Sequence, residues 1–244
     1  MTQLSTRPEA AEEQVLKQQA VHFAFYKLRP AWWELNEQER RRRAKDLIEL
    51  IDAWRERLLL VSYSLAGIRA DCDFMLWKAA DSIDEIHAAG LALMASPAGP
   101  YLHTAYAYLS LTKRSVYVRD HSHAGQEGNR LQIAPIGARY LFVYPFVKTR
   151  AWYALPLEQR QQMMNEHIRI GNKYPTVKLN TTYSFGLDDQ EFVLAFESDH
   201  PSDFLDLVME LRESEASQYT LRDTPVFTCI KAEGAELLRS LGVS

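Results

Sequence analysis

The sequence predicts an α+β protein made of two similar halves that pack together as a barrel, each half with the element order βαββαβ. Two observations carry this prediction. The first is an internal duplication at an offset of about 119 residues, at which Trp33 and Leu35 correspond to Trp152 and Leu155. The second is that strand-like and helix-like periods alternate in the same order in both copies. Since βαββαβ is the ferredoxin-like pattern, we expect two ferredoxin-like halves.

The first copy contains a strand, a long helix, a hairpin, a second helix and a closing strand. Residues 21–28 read VHFAFYKL, an apolar and aromatic run of strand length. Residues 36–55 have the length and period of a surface helix. Two strand-like runs at 58–66 and 72–79 predict a hairpin, because turn-forming residues separate them. A second helix at 82–94 and a strand at 103–111 complete the unit.

The second copy repeats this order. Its elements are predicted at 139–148, 156–173, 177–185, 190–197, 201–217 and 224–230. Each copy has helices on one side of its sheet, so packing the two sheets together as a barrel covers both remaining faces. We therefore expect an N-terminal half at 1–111, a connecting segment at 112–138 and a C-terminal half at 139–244. The connecting segment is long and irregular, and such segments are often functional.

Composition and charge exclude some classes of protein. The chain has 244 residues, of which 47% are apolar, and a net charge of −4, which argues against a nucleic-acid-binding protein. The run Arg40 to Arg43 lies on a predicted helix among acidic residues such as Glu37 and Glu39, so it predicts an ion-paired helix face.

The cysteines and the first residues indicate a reducing compartment. Cys72 and Cys229 are far apart and match no metal-binding spacing, so we expect two buried thiols. The first twenty residues are polar and acidic, and no run of residues is long and apolar enough for a membrane span. We therefore expect a cytoplasmic protein that does not bind membranes.

A single histidine lies on the helix predicted at 156–173. From periodicity alone, a histidine on the inward face of a helix is more often a core residue than a ligand. Gly171 leaves room for a flat macrocycle beside His167, or it is simply a glycine at the helix end. The residues that share the face of His167 are Arg160, Met163, Met164, Ile170, Gly171 and Tyr174.

Four sequence segments in the second copy carry a resemblance to a known family. They are Tyr144-Pro145-Phe146-Val147-Lys148, Trp152-Tyr153, Glu166-His167-Ile168-Arg169-Ile170-Gly171 and Ser184-Phe185-Gly186-Leu187-Asp188-Asp189. Their order resembles the chlorite dismutase family of haem proteins, and most of all its coproheme decarboxylase branch, whose peroxide-dependent enzymes finish haem synthesis. The resemblance covers about residues 130 to 229.

The resemblance implies roles for individual residues. His167 falls at the position of the proximal haem iron ligand, and Glu215 at the carboxylate that tunes it. Tyr144 matches the catalytic radical tyrosine, and Lys148 matches a lysine that holds a propionate. The further residues that the resemblance implies as cofactor contacts are Arg130, Trp152, Met164, Gly171, Asn180 and Thr224.

The sequence departs from the family on the distal side of the haem. Chlorite-degrading members have an arginine about thirteen residues after the proximal histidine, where this chain has Leu179 or Asn180, depending on a gap of one residue. This difference weakens the prediction of chlorite degradation. The distal base is left open between His121, His123 and Asn180.

The function that the resemblance implies is haem-dependent oxidative decarboxylation of coproheme III to haem b with hydrogen peroxide. The alternatives are a chlorite dismutase-like or peroxidase-type haem enzyme, and a haem-binding protein without turnover. The C-terminal half would bind the haem. Family members form ring-shaped homo-oligomers, so a homo-oligomer, often a pentamer, is also implied.

Overall fold

The computed structural model of the protein describes residues 17–117 and 131–243. Several helices begin where the sequence supplies a cap: Asn36 accepts a hydrogen bond from the Glu39 amide, and Ser82 accepts one from the Glu85 amide. In chain order the elements are β1 (Ala20–Leu28), α1 (Pro30–Glu34), α2 (Glu37–Arg55), β2 (Leu59–Ser64), β3 (Phe74–Ala80), α3 (Ile83–Ala95), β4 (Leu102–Leu111), β5 (Tyr140–Lys148), α4 (Arg150–Ala154), α5 (Leu157–Gly171), β6 (Lys178–Tyr183), β7 (Phe192–Ser198), α6 (Pro201–Glu213), β8 (Thr220–Arg222), β9 (Phe227–Lys231) and α7 (Ala235–Ser240).

Eight of these strands close into a barrel. The order around it is β7-β6-β4-β1-β3-β2-β9-β5, and β5 pairs again with β7. The short strand β8 pairs with the end of β5 outside this ring. The first copy contributes β4-β1-β3-β2 and the second contributes β9-β5-β7-β6, which is the same antiparallel order. The predicted fold class, two ferredoxin-like halves forming an α+β barrel, is confirmed.

The two four-stranded sheets meet along short seams. On one side, β4 and β6 pair through Leu111 and Tyr183. On the other side, β2 and β9 pair through Tyr63 with Lys231 and Ser64 with Ile230. Because few backbone pairs join the sheets, the side chains inside the barrel contribute most of the contact between the halves.

Alternation along the strands separates the barrel interior from two outer layers. In β1, Phe23 and Phe25 point into the barrel, while Ala24 and Tyr26 face the helices. In β5, Val143 lies inside and Tyr144 lies outside. The first outer layer is therefore covered by α2 and α3, and the second by α5 and α6.

Several details differ from the sequence prediction. The short helices α1 and α4 were not predicted, because five residues are too few to show a helical period. The helix predicted at 201–217 ends at Glu213, because Ser214 takes an extended conformation and its hydroxyl donates to the Leu211 carbonyl. A turn of 3-10 helix, Glu215–Tyr219, follows.

Other boundaries agree within a few residues. Within 17–117 and 131–243, no helix is both long enough and apolar enough to span a membrane. The division at 111 and 139 stays a proposal.

Candidate haem site in the C-terminal half

Tyr144 lies on the outer face of β5, under α5 and α6. Cross-strand pairing aligns it with Leu194 of β7 and, through Leu194, with Thr181 of β6. Its ring stacks on Phe196 with centroids 5.9 Å apart. Burial raises the pKa of the Tyr144 phenol well above its ordinary value, so the hydroxyl stays protonated. Among the described residues, this hydroxyl has no hydrogen-bond partner.

His167 lies on α5 above this strand and is only half-buried. Burial, together with the nearby charge of Lys148, lowers the pKa of His167 to about 4. The imidazole is therefore neutral at physiological pH, as an iron ligand must be. Neither ring nitrogen forms a hydrogen bond with a described residue, so within the described part of the chain both are available.

Lys148 brings a positive charge to the same place. Its ammonium lies 4.6 Å from the centroid of the Trp152 ring and donates to the Ala216 carbonyl at 2.7 Å. Burial lowers the pKa of Lys148 to about 8, an effect that the charge of Glu191 partly opposes. An ammonium has three donors, and within the described residues only this carbonyl accepts one. Lys148 can therefore still bind a carboxylate.

Glu191 fixes the end of β5 from which Lys148 projects. One carboxylate oxygen accepts from the Lys148 backbone amide at 2.8 Å and from the Tyr153 hydroxyl at 2.6 Å. The sequence analysis assigned Glu191 no role at the site. The internal duplication could have indicated this role, because Asp73 occupies the equivalent position in the first copy. Its carboxylate accepts from the Leu28 amide at 2.7 Å, as that of Glu191 accepts from the Lys148 amide.

The equivalent layer of the first copy shows what is special about this site. The buried tryptophans Trp32 and Trp152 are equivalent, whereas Trp33 is 52% exposed, so the local offset is about 120 residues. At this offset Leu47 corresponds to His167, and Ile51 to Gly171. Leu47 and Ile51 are 1% and 2% exposed and fill the layer of the first copy with aliphatic side chains.

The second copy leaves this space unfilled by aliphatic side chains. His167 and Gly171 are only half-buried, and a Cβ atom added to Gly171 would meet nothing within 4 Å. A neutral imidazole, open space beside it, and a lysine with free donors match the needs of an iron porphyrin with carboxylate substituents. The residues present therefore fit a haem group.

The other predicted site residues fall into three groups. Trp152 and Met164 pack together in the cluster next to Lys148. Thr224 is exposed beside Asp223, whose charge acts on Tyr144. Arg130, His121 and His123 lie outside the described residues.

The structure does not place Asn180 or Glu215 in contact with His167. Asn180 aligns with Ala195 and Val143, which face the barrel interior, and its amide donates to Glu197 at 3.0 Å. It therefore lies on the face of β6 opposite Tyr144, and the structure does not support its prediction as a cofactor contact or distal base. Glu215 is exposed in the 3-10 turn and forms no hydrogen bond with His167, although both residues are described.

Comparison with known proteins places the chain in a family. The family profile described as chlorite dismutase matches residues 40–232. A curated coproheme decarboxylase of Mycolicibacterium smegmatis is 33% identical over 167 residues, which cover 68% of this chain and 70% of that protein.

Solved structures show the same fold. A variant of chlorite dismutase from Candidatus Nitrospira defluvii is 25% identical, with a TM-score of 0.80 over 92% of this chain and 94% of that chain. A haem-binding protein from Thermus thermophilus is 24% identical, with a TM-score of 0.83 over 93% and 96% of the two chains.

The family profile and the curated relative show that the protein is a haem-dependent oxidoreductase, as predicted, with haem iron as its cofactor. Since the family profile covers most of its length, the chain belongs to the chlorite dismutase family.

Proposed function

We propose that this protein converts coproheme III to haem b by oxidative decarboxylation with hydrogen peroxide. The observation that supports the proposal concerns the outer layer that the first copy fills with Leu47 and Ile51. In the second copy, Tyr144 packs in this layer against α5, the helix that carries His167, and the charge of Lys148 acts on His167. The named relative from Mycolicibacterium smegmatis supports the same substrate.

Each decarboxylation removes two electrons and one proton from a propionate. A vinyl group and carbon dioxide form, while one hydrogen peroxide is reduced to two waters. The bound iron porphyrin is both the substrate and the centre through which peroxide supplies oxidising equivalents. Two propionates react in turn, so the full conversion consumes two molecules of peroxide.

Three residues of this chain have separate roles in the proposed reaction. His167 offers a neutral ring nitrogen to the iron, because burial keeps it unprotonated. Lys148 holds the reacting carboxylate with its free ammonium donors. Tyr144 keeps its phenolic proton until it gives up an electron and a proton together, and it then takes a hydrogen atom from the propionate chain.

The side chains of β6 that face the site argue against efficient chlorite degradation. Leu179 packs in the same outer layer as Tyr144. Thr181 is aligned with Tyr144 through Leu194 of β7. Neither supplies the positive charge that the chlorite-degrading members carry in this part of the chain.

Mass spectrometry of the porphyrin tests the proposal directly. Protein loaded with coproheme and given hydrogen peroxide is expected to yield the mono- and then the di-decarboxylated porphyrin. Unchanged coproheme or a bleached porphyrin would contradict the proposal and would favour the alternative, a haem-binding protein without turnover. A cytoplasmic location and a ring-shaped homo-oligomer stay predictions.

A further inference from the structure

Arg160 carries a positive charge that the described residues leave unbalanced. It lies half-buried on α5, and its Nε is buried without a hydrogen-bond partner. One terminal nitrogen donates to the Tyr117 hydroxyl at 3.2 Å. No carboxylate of the described residues lies within ion-pair distance of this guanidinium. The guanidinium is only partly desolvated, and its second terminal nitrogen is neither buried nor bonded to a described residue, so it is available to an anionic partner.

The position of Arg160 relates this charge to the haem site. It precedes His167 by seven residues, which places it on the same face of α5 and about 10 Å away along the helix axis. Its neighbour Tyr117 makes an edge contact with Trp152 at 6.3 Å between ring centroids, and Lys148 lies over the same indole. Two cations with free donors thus border one aromatic cluster.

Tyr117 is itself held in place by α5. Its backbone carbonyl accepts from the Gln161 side chain at 2.9 Å, so the phenol is fixed where it receives the Arg160 hydrogen bond. The guanidinium is therefore oriented before any ligand arrives. Its Nε is buried, so the second terminal nitrogen is the donor that a ligand can reach. A charged N–H donor of this kind forms a strong hydrogen bond with a carboxylate oxygen.

We propose that Arg160 binds a carboxylate at the rim of the tetrapyrrole, as a second cationic anchor beside Lys148. The identity of the ligand rests on the proposed function, since coproheme has four propionates around a flat ring that His167 would hold. A flat ligand bound at His167 would bring one edge towards Arg160. Tyr117 acts as the positioning residue for the guanidinium.

The test compares a free acid with its ester. Dissociation constants are measured by absorbance titration for iron coproporphyrin and its tetramethyl ester, with the parent protein and Arg160→Met. The variant is expected to bind the acid about 10- to 100-fold more weakly, the loss of a charge-assisted hydrogen-bonded pair, and to bind the ester like the parent. The haem spectrum set by His167 should not change.

Two further variants separate binding from structure. Arg160→Lys keeps the charge and should lose less affinity than Arg160→Met, and it serves if the methionine variant does not fold. Arg169→Met, on the exposed side of the same helix, is the matched control and should bind both ligands like the parent.

Two results would overturn the inference: equal affinity of Arg160→Met and the parent for the acid, or an equal loss for acid and ester. The second result would mean that Arg160 only supports Tyr117. Failure of the proposed function is recognised separately, by a parent protein that forms no decarboxylated product while the selective loss of acid affinity is still observed.

Discussion

Replacing Tyr144 with phenylalanine separates chemistry from packing. The ring stacks on Phe196 and contributes to the layer with Phe142 and Ile170, and phenylalanine keeps these contacts. The hydroxyl has no partner among the described residues, so its removal should cost at most about 1 kcal/mol of unfolding free energy. For a protein of this size that cost corresponds to a fall of about 2–4 °C or less in the unfolding temperature.

The expected effect on turnover is far larger. If the phenol supplies the electron and proton, Tyr144→Phe should slow formation of both decarboxylated products by about 100-fold or more, which is close to 3 kcal/mol in the barrier. The assay follows the porphyrin by mass spectrometry after peroxide is added to coproheme-loaded protein. Thermal unfolding and coproheme affinity are measured in parallel.

Tyr140→Phe is the matched control. Tyr140 lies on the same strand and the same face, with its ring 6.4 Å from that of Phe142. This variant should form haem b at the parent rate. A Tyr144→Phe variant that also does so would refute the radical role, and one that does not fold would assign Tyr144 to packing.

Four other predictions use the same site. His167→Ala should abolish the five-coordinate histidine haem spectrum and weaken coproheme binding, and an unchanged spectrum would exclude His167 as the ligand. Chlorite should be a poor substrate, because Leu179 and Thr181 of β6 supply no positive charge. Oxygen evolution from chlorite with a kcat/KM of about 10⁶ M⁻¹s⁻¹ or more would contradict this prediction. Because the pKa of Lys148 is lowered to about 8, its ammonium loses its proton as the pH rises, and coproheme affinity should fall between pH 7 and 9 in a titration. Glu191→Gln removes the charge that opposes this shift, so the same fall should begin at lower pH; an unshifted profile would show that Glu191 does not act on Lys148.

The sequence predicted the fold because its signals are repeated. The duplication allows each copy to support the interpretation of the other, and alternating side chains on long strands such as β1 and β5 are clear. Short elements were missed for a physical reason: α4 and β8 are held by tertiary contacts, and neither is long enough to show a period.

The placement of single residues depended on strand register. Asn180 and Leu179 were equivalent candidates in the sequence because a gap of one residue separated the two alignments. In a strand, a shift of one residue moves a side chain to the opposite face. Only the pairing of β6 with β7 decides that Leu179 faces the helices and Asn180 the barrel interior.

The asymmetry between the copies explains why one half of the barrel carries the site. Burying a leucine or isoleucine side chain contributes about 1.5–3 kcal/mol, and the first copy gains this at Leu47 and Ile51. The second copy forgoes both contributions at His167 and Gly171. Its outer layer is therefore less stabilised by its own side chains. We propose that the neutral imidazole of His167 and the cations Lys148 and Arg160 border the space that results. A flat apolar ring with anionic edges would restore the lost burial and balance these charges in one step.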